Sequence, residues 1–161
     1  MNGQHKLFAR LLCGSFIPFL LLLAACRPAP PAEKQIMMRI EQLQQLAEKK
    51  QLRSVMDFFS DDFQGPRDRN KAALQGRLFF HFRYNPTVRV YISNIDIQVN
   101  EDGQARVSCH FLATGSQDVM PDKGRLYRVE SSWRKEDGAW RIYYADWEDA
   151  INELVAPLKM H

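Results

Sequence analysis

At Pro86 the spacing of apolar residues changes from the helical period of about 3.6 to the strand period of about 2, and this switch restricts the fold more than any other feature of the chain. Before it, Ile36, Met37, Ile40, Leu43, Leu46 and Ala47 lay one stripe along residues 33–50, with Glu, Gln and Lys opposite. A second stripe, Leu52, Val55, Met56, Phe59 and Phe63, predicts a helix stopped by Gly65-Pro66. A third begins near Asp68, a capping residue type, and carries Leu74, Leu78, Phe79 and Phe82 up to Asn85-Pro86. Beyond Pro86, Val88, Val90 and Ile92 alternate with Arg89 and Tyr91, and Ile95, Ile97 and Val99 continue in the opposite phase. The slip predicts a bulge near Asn94. Alternation is cleanest over residues 105–114, and further strands are expected over 125–135 and 139–147, with Asp102-Gly103 and Asp137-Gly138 as turns. Residues 115–124 read as a polar loop, and Ile151, Leu154 and Val155 as a last helical turn before Pro157. Helices grouped first and strands grouped last give an α+β class, with three N-terminal helices packed on one face of a strongly curved antiparallel sheet.

The N-terminus has the parts of an export signal. Lys6 and Arg10 precede an apolar run over residues 11–25 that is interrupted by Gly14, Ser15 and Pro18. Its fifteen positions fall short of the roughly 20 apolar residues a spanning helix needs. Leu23-Ala24-Ala25-Cys26 resembles the lipobox of bacterial lipoproteins, in which small residues let a peptidase close on the backbone and the cysteine thiol carries the diacylglycerol. The resemblance implies removal of residues 1–25 as a signal peptide, lipidation of Cys26, and a membrane partner held through N-terminal acyl chains. Each buried methylene adds about 0.8 kcal/mol to such an anchor. In lipoproteins of this kind an aspartate after the cysteine commonly retains the chain at the inner membrane. Arg27 stands there, so the resemblance implies the periplasmic face of the outer membrane. Residues 26–32 then form the lipidated cysteine and a proline-rich, semi-rigid tether, and 33–161 the folded domain.

The leader takes Lys6 and Arg10 with it, so the 22 basic side chains fall to 20 against 19 acidic ones. A near-neutral domain gives no electrostatic reason to expect nucleic acid as a partner. Of three cysteines, Cys13 leaves with the leader and Cys26 is acylated, which leaves Cys109 and no intrachain disulfide. A single domain of about 130 residues must then be held by its core.

Two linked helices with Leu52-Arg53-Ser54-Val55-Met56-Asp57-Phe58-Phe59-Ser60-Asp61-Asp62-Phe63 at the second, a third helix, two Asp-Gly hairpins and the last strand Trp140-Arg141-Ile142-Tyr143-Tyr144-Ala145-Asp146-Trp147 resemble the nuclear transport factor 2-like (SnoaL-like) superfamily over residues 33–147. The resemblance rests on element order, because this superfamily has no diagnostic catalytic string. It implies a cone-shaped domain in which a bent sheet wraps the helices and leaves a cavity at its wide end. Members include isomerases, dehydratases, epoxide hydrolases, transport adaptors and assembly scaffolds, so fold alone does not name the activity.

Parity along the strands sorts the candidate residues. Ala105, Val107, Cys109 and Phe111, with Tyr127, Val129, Ser131, Trp133, Trp140, Ile142 and Tyr144, form the more apolar set expected to meet the helices. Its polar members define a candidate pocket of Asp146, Tyr144, Tyr127 and Ser131 beside Trp133. A carboxylate between apolar walls has a raised pKa and can act as a general base, so Asp146 with Tyr144 is either an isomerase- or hydrolase-type site or a carboxylate that accepts a hydrogen bond at the end of its strand or pairs with an arginine, beside a core tyrosine. The histidines His81, His110 and His161 lack metal-ligand spacing, Cys109 lies on the apolar face as a buried thiol, and no metal or cofactor is called for. The opposite face carries Leu112, Leu126, Tyr143 and Trp147. These are either a partner or homodimer interface or are covered by the segment around Ile151, Leu154 and Val155. The expectation is a lipid-anchored domain that binds an apolar small molecule or an envelope protein, with the enzyme as the alternative.

Overall fold

Residues 29–67, 69–114 and 125–150 are described in the computed structural model. Helix α1 (Ala32–Glu48) places Ile36 and Ile40, four residues apart, on one side, and both are buried. It ends at Lys50, whose φ of 55° lets the amide of Lys50 reach the carbonyl of Ala47 and that of Gln51 the carbonyl of Leu46. These two bonds form a Schellman closure, which normally uses glycine.

Helix α2 (Leu52–Met56) is shorter than its stripe suggests, because Phe59–Gly65 is strand β1. Phe59 and Phe63 are four apart, a spacing that a helix face and a strand face both satisfy, and their rings meet edge-on at 5.1 Å. Ser60-Asp61-Asp62 between them are poor helix formers. The backbone instead bonds sideways, with the amide of Ile142 donating to the carbonyl of Phe58 at 2.8 Å.

After the two-residue strand β2 (Arg69–Asn70) comes α3 (Lys71–Tyr84), capped by Asn70, whose side chain accepts from the amide of Ala73 at 3.0 Å. The expected cap, Asp68, lies outside the described residues. Strands β3 (Arg89–Val99), β4 (Ala105–Thr114), β5 (Arg125–Glu136) and β6 (Ala139–Asp149) follow. The expected final turn around Ile151 also falls outside the described residues.

The class is α+β, with helices first and a long-stranded sheet last, as the change of period implies. The sheet order is β2-β1-β6-β5-β4-β3, and β1 runs parallel to β6, which makes the sheet mixed where a wholly antiparallel one was expected. Register shifts between Ser93 and Asp96 on β3, around Asn94 with φ 51°, so the bulge lies where the phase slip put it. Ile36, Ile40, Phe63, Val107, Trp133, Trp140 and Ile142 form the main core between α1 and the sheet. Trp140 Nε1 donates to Gln35 Oε1 at 3.2 Å across that interface. β3 is an edge strand. Its Val90 carbonyl accepts from Gln44 Nε2 at 2.8 Å and its amide donates to Glu48 Oε1 at 3.0 Å, so α1 satisfies the open rim there.

Candidate functional site

A second bulge decides which side chains face the helices. Between β5 and β6, Trp133 pairs with Ile142 but Ser132 pairs with Tyr144, so Tyr143 is one residue extra. From there β6 changes phase. Ala145 and Trp147 turn to the helix-bearing face, where Ala145 is buried and Trp147 packs on the main core. Tyr144 and Asp146 go to the outer face opposite Ser132 and Glu130, and Tyr144 is 40% exposed.

The candidate pocket is therefore not one place. Ser131 and Trp133 are on the helix-bearing face but buried in the core, where Trp133 Nε1 donates to Ser131 Oγ at 2.9 Å and Ser131 Oγ donates to the Val107 carbonyl at 3.3 Å. Both are spoken for. Asp146 Oδ1 accepts from the neighbouring Trp147 amide at 2.8 Å inside β6, which continues to Asp149, so the residue is not at the end of its strand. Tyr127 keeps the expected position, half-buried opposite Phe111 and Asp149. The face assignments of Tyr144 and Asp146 are corrected by the bulge, and so is that of Trp147, which was expected outside. Leu112, Leu126 and Tyr143 lie on the outer face, with Leu112 paired to Leu126 on one side and to exposed Tyr91 on the other.

With the register settled, Ile92, Cys109, Phe111, Tyr127, Val129 and Trp147 make one band across β3, β4, β5 and β6 on the helix-bearing side, and all six are only half-buried. Leu74 and Leu78 of α3 pack from above on the clusters that include Ile92, Phe111 and Trp147. Burial pushes the Cys109 thiol up to about 11. Trp147 is held by its neighbours: Gly65 lies beneath its ring, and the Arg69 guanidinium sits 5.8 Å from the ring centroid. The sign of this band was present in the sequence, because residues 145 and 147 are more apolar than 144 and 146.

Two clefts lie elsewhere. One of about 320 Å³ is lined by Gln98, Asn100, Gln104, Arg106, Ser132 and Tyr143 on the outer face, and the Tyr143 hydroxyl donates to Gln104 Oε1 at 3.0 Å. The other, about 490 Å³, lies between Lys50 and Leu52 on one side and Phe79, Phe82 and Arg83 on the other. Next to β1, Glu136 Oε1 accepts from Ser60 Oγ and Arg134 Nε, both at 2.7 Å, and Arg134 also reaches Asp62 at 2.7 Å. The Ser60 hydrogen bond and the Arg134 and Arg141 charges hold the Glu136 carboxyl below its ordinary range. Among the described residues no three of His, Cys, Asp and Glu converge to hold a metal ion, and no helix is long and apolar enough to cross a membrane.

No family model matches the chain, and no curated protein matches it. Solved structures do. A protein from Novosphingobium aromaticivorans, provisionally assigned as a scytalone dehydratase, is 16% identical with a TM-score of 0.64, over 73% of this chain and 83% of that one. An NTF2-like protein from Cytophaga hutchinsonii is 16% identical with a TM-score of 0.60, over 74% and 99%. ActVI-ORFA from Streptomyces coelicolor is 15% identical with a TM-score of 0.59, over 74% and 95%. At these identities the likeness establishes the fold, which is nuclear transport factor 2-like, a fold that serves both enzymes and binding proteins.

Proposed function

We propose that the chain is a lipid-anchored envelope protein, held through Cys26 at the periplasmic face of the outer membrane, whose helix-bearing sheet face binds an apolar small molecule. The observation that carries this reading is the band of half-covered apolar side chains centred on Val129. Apolar groups turned toward the helices yet not sealed by them leave surface that gains free energy when an apolar occupant displaces water. The lipobox-like Leu23-Ala24-Ala25-Cys26 supports the anchor.

The enzymatic alternative is favoured by the dehydratase assignment of the Novosphingobium protein. On this chain it would move from Tyr144 and Asp146 to Tyr127 and Asp149, which are register partners on the helix-bearing side, with Asp149 exposed. Leu112 and Leu126 on the outer face are the surface we assign to an envelope protein partner or a second copy.

The test is solvent extraction of the purified full-length chain beside its Val129→Trp variant, which fills the band. An apolar molecule recovered from the wild type and at least ten-fold less from V129W supports the reading. Its absence from both, or equal recovery, overturns it. Mass spectrometry of the peptide that begins at Cys26 tests the anchor independently.

A further inference from the structure

Helix α3 carries apolar side chains on its exposed side as well as on its buried one. Leu74, Leu78 and Phe82 face the sheet, while Phe79, Phe80 and Tyr84 point away from it and are 50%, 57% and 73% exposed. The Phe80 and Tyr84 rings stack at 6.3 Å with 8° between their planes, and Phe79 meets Phe80 edge-on at 5.7 Å. Exposed aromatic rings gathered on one helix mark a contact surface.

Its charges are of one sign. The helix holds Lys71, Arg77 and Arg83 and no acidic residue. Lys71 pairs with Asp61 at 2.8 Å, whereas Arg77 and Arg83 have no ion-pair partner among the described residues. Beside Phe79 and Arg83 runs the groove of about 490 Å³, with Leu52 and Phe82 as apolar lining and Lys50 as a further cation. Lys50 Nζ donates to the carbonyls of Asn85 and Pro86, both at 3.1 Å, so this cation is fixed in place.

The geometry points to an anionic bilayer surface as the occupant of this face. Aromatic rings enter the interfacial layer, the Arg77 and Arg83 guanidinium groups meet lipid phosphates, and the groove takes an acyl segment below the headgroup that Lys50 and Arg83 hold. A second copy fits worse. A two-fold contact centred on Phe80 would set Arg77 of each copy against Arg83 of the other, with no carboxylate on the helix to separate them. The contact does not depend on the acyl group at Cys26 and adds to whatever anchor exists there.

The test uses the full-length chain with Tyr84→Trp, added to vesicles of phosphatidylglycerol and phosphatidylethanolamine or of phosphatidylcholine alone, both carrying acyl-brominated lipid. The Y84W-specific emission, taken as the difference from the wild-type spectrum, is expected to be quenched at least five-fold more strongly in the anionic vesicles. Arg77→Glu with Arg83→Glu is expected to abolish that quenching while the far-ultraviolet dichroism stays unchanged. Absence of quenching, equal quenching in both vesicles, or a blue shift that follows protein concentration without lipid overturns the proposal. A chain that proves unacylated at Cys26 yet is quenched as described leaves this inference standing and removes the anchor alone.

Discussion

The indole of Trp147 lies over Gly65: a β-carbon built on Gly65 would sit 3.4 Å from Cη2 of Trp147, 3.5 Å from the Arg69 carbonyl oxygen and 3.5 Å from Cε1 of Phe63. A methyl group just fits, and anything larger does not. Gly65→Ala is expected to be close to neutral, whereas Gly65→Leu should cost about 1–3 kcal/mol and lever Trp147 out of the band. Urea unfolding gives the first number, and a red shift of tryptophan emission in the folded Gly65→Leu variant reports the second.

Ser131 and Trp133 test whether the polar pair in the core is a unit. Trp133 is 2% exposed and its Nε1 donates to Ser131 Oγ at 2.9 Å. Ser131→Ala strands that donor and should cost about 1–3 kcal/mol, while the same change made on Trp133→Phe should cost clearly less, since no indole N–H remains to be stranded. Equal costs in the two backgrounds would show that the hydrogen bond carries none of the effect.

The first helical stripe, the change of period at Pro86 and the bulge at Asn94 are all legible in the sequence, because each is a run of apolar residues whose phase is set by burial on one side. The second bulge is harder to see, though a signal of the same kind marks it. Around Tyr143 both phases hold an aromatic residue, Tyr144 in one and Trp147 in the other, and this masks the greater apolarity of the phase that holds Ala145 and Trp147. The conversion of 59–65 from helix to strand was hidden for another reason. Pairing with β6 is a contact across more than 70 residues, and local spacing does not contain it.

Glu136 gives the pH dependence a definite sign. Its carboxyl is held low first by the Ser60 hydrogen bond and then by Arg134 and Arg141, so it favours the folded state above the unfolded carboxylate value of about 4.3. That contribution is lost as the pH falls through the lower folded value. The stability difference between the wild type and Glu136→Gln should therefore be present at pH 7 and shrink as the pH falls below about 4.3, as read from urea midpoints. A difference that does not change with pH would remove the carboxylate from the account.

Cys109 is a reporter inside the proposed binding band. With its thiol pushed up to about 11 from an ordinary 9.0, roughly one in a thousand is ionised at pH 8, about a hundredth of the ordinary share, so alkylation should be about 100-fold slower than for a free cysteine. An apolar occupant should slow it further, and Val129→Trp should imitate that slowing. Labelling at Cys109 is followed by peptide mass, and a rate equal to that of a free thiol would mean the band is open to water.

Asp146→Asn and Tyr144→Phe separate the two faces of the sheet. Both residues are outside, with Asp146 engaged by the Trp147 amide, so neither change should alter the amount of apolar molecule recovered with the chain. Loss of that molecule in Asp146→Asn but not in Val129→Trp would move the site to the outer face.

Both rims of this sheet are blunted, by different means. β2 ends one rim after two residues, and at the other the hydrogen-bonding groups of Val90 are already occupied by Gln44 and Glu48. A neighbouring strand seeking to extend the ladder at Val90 would have to break two formed bonds before making its own. Growth into open-ended, fibre-like stacks is thereby hindered at the Val90 end of this border.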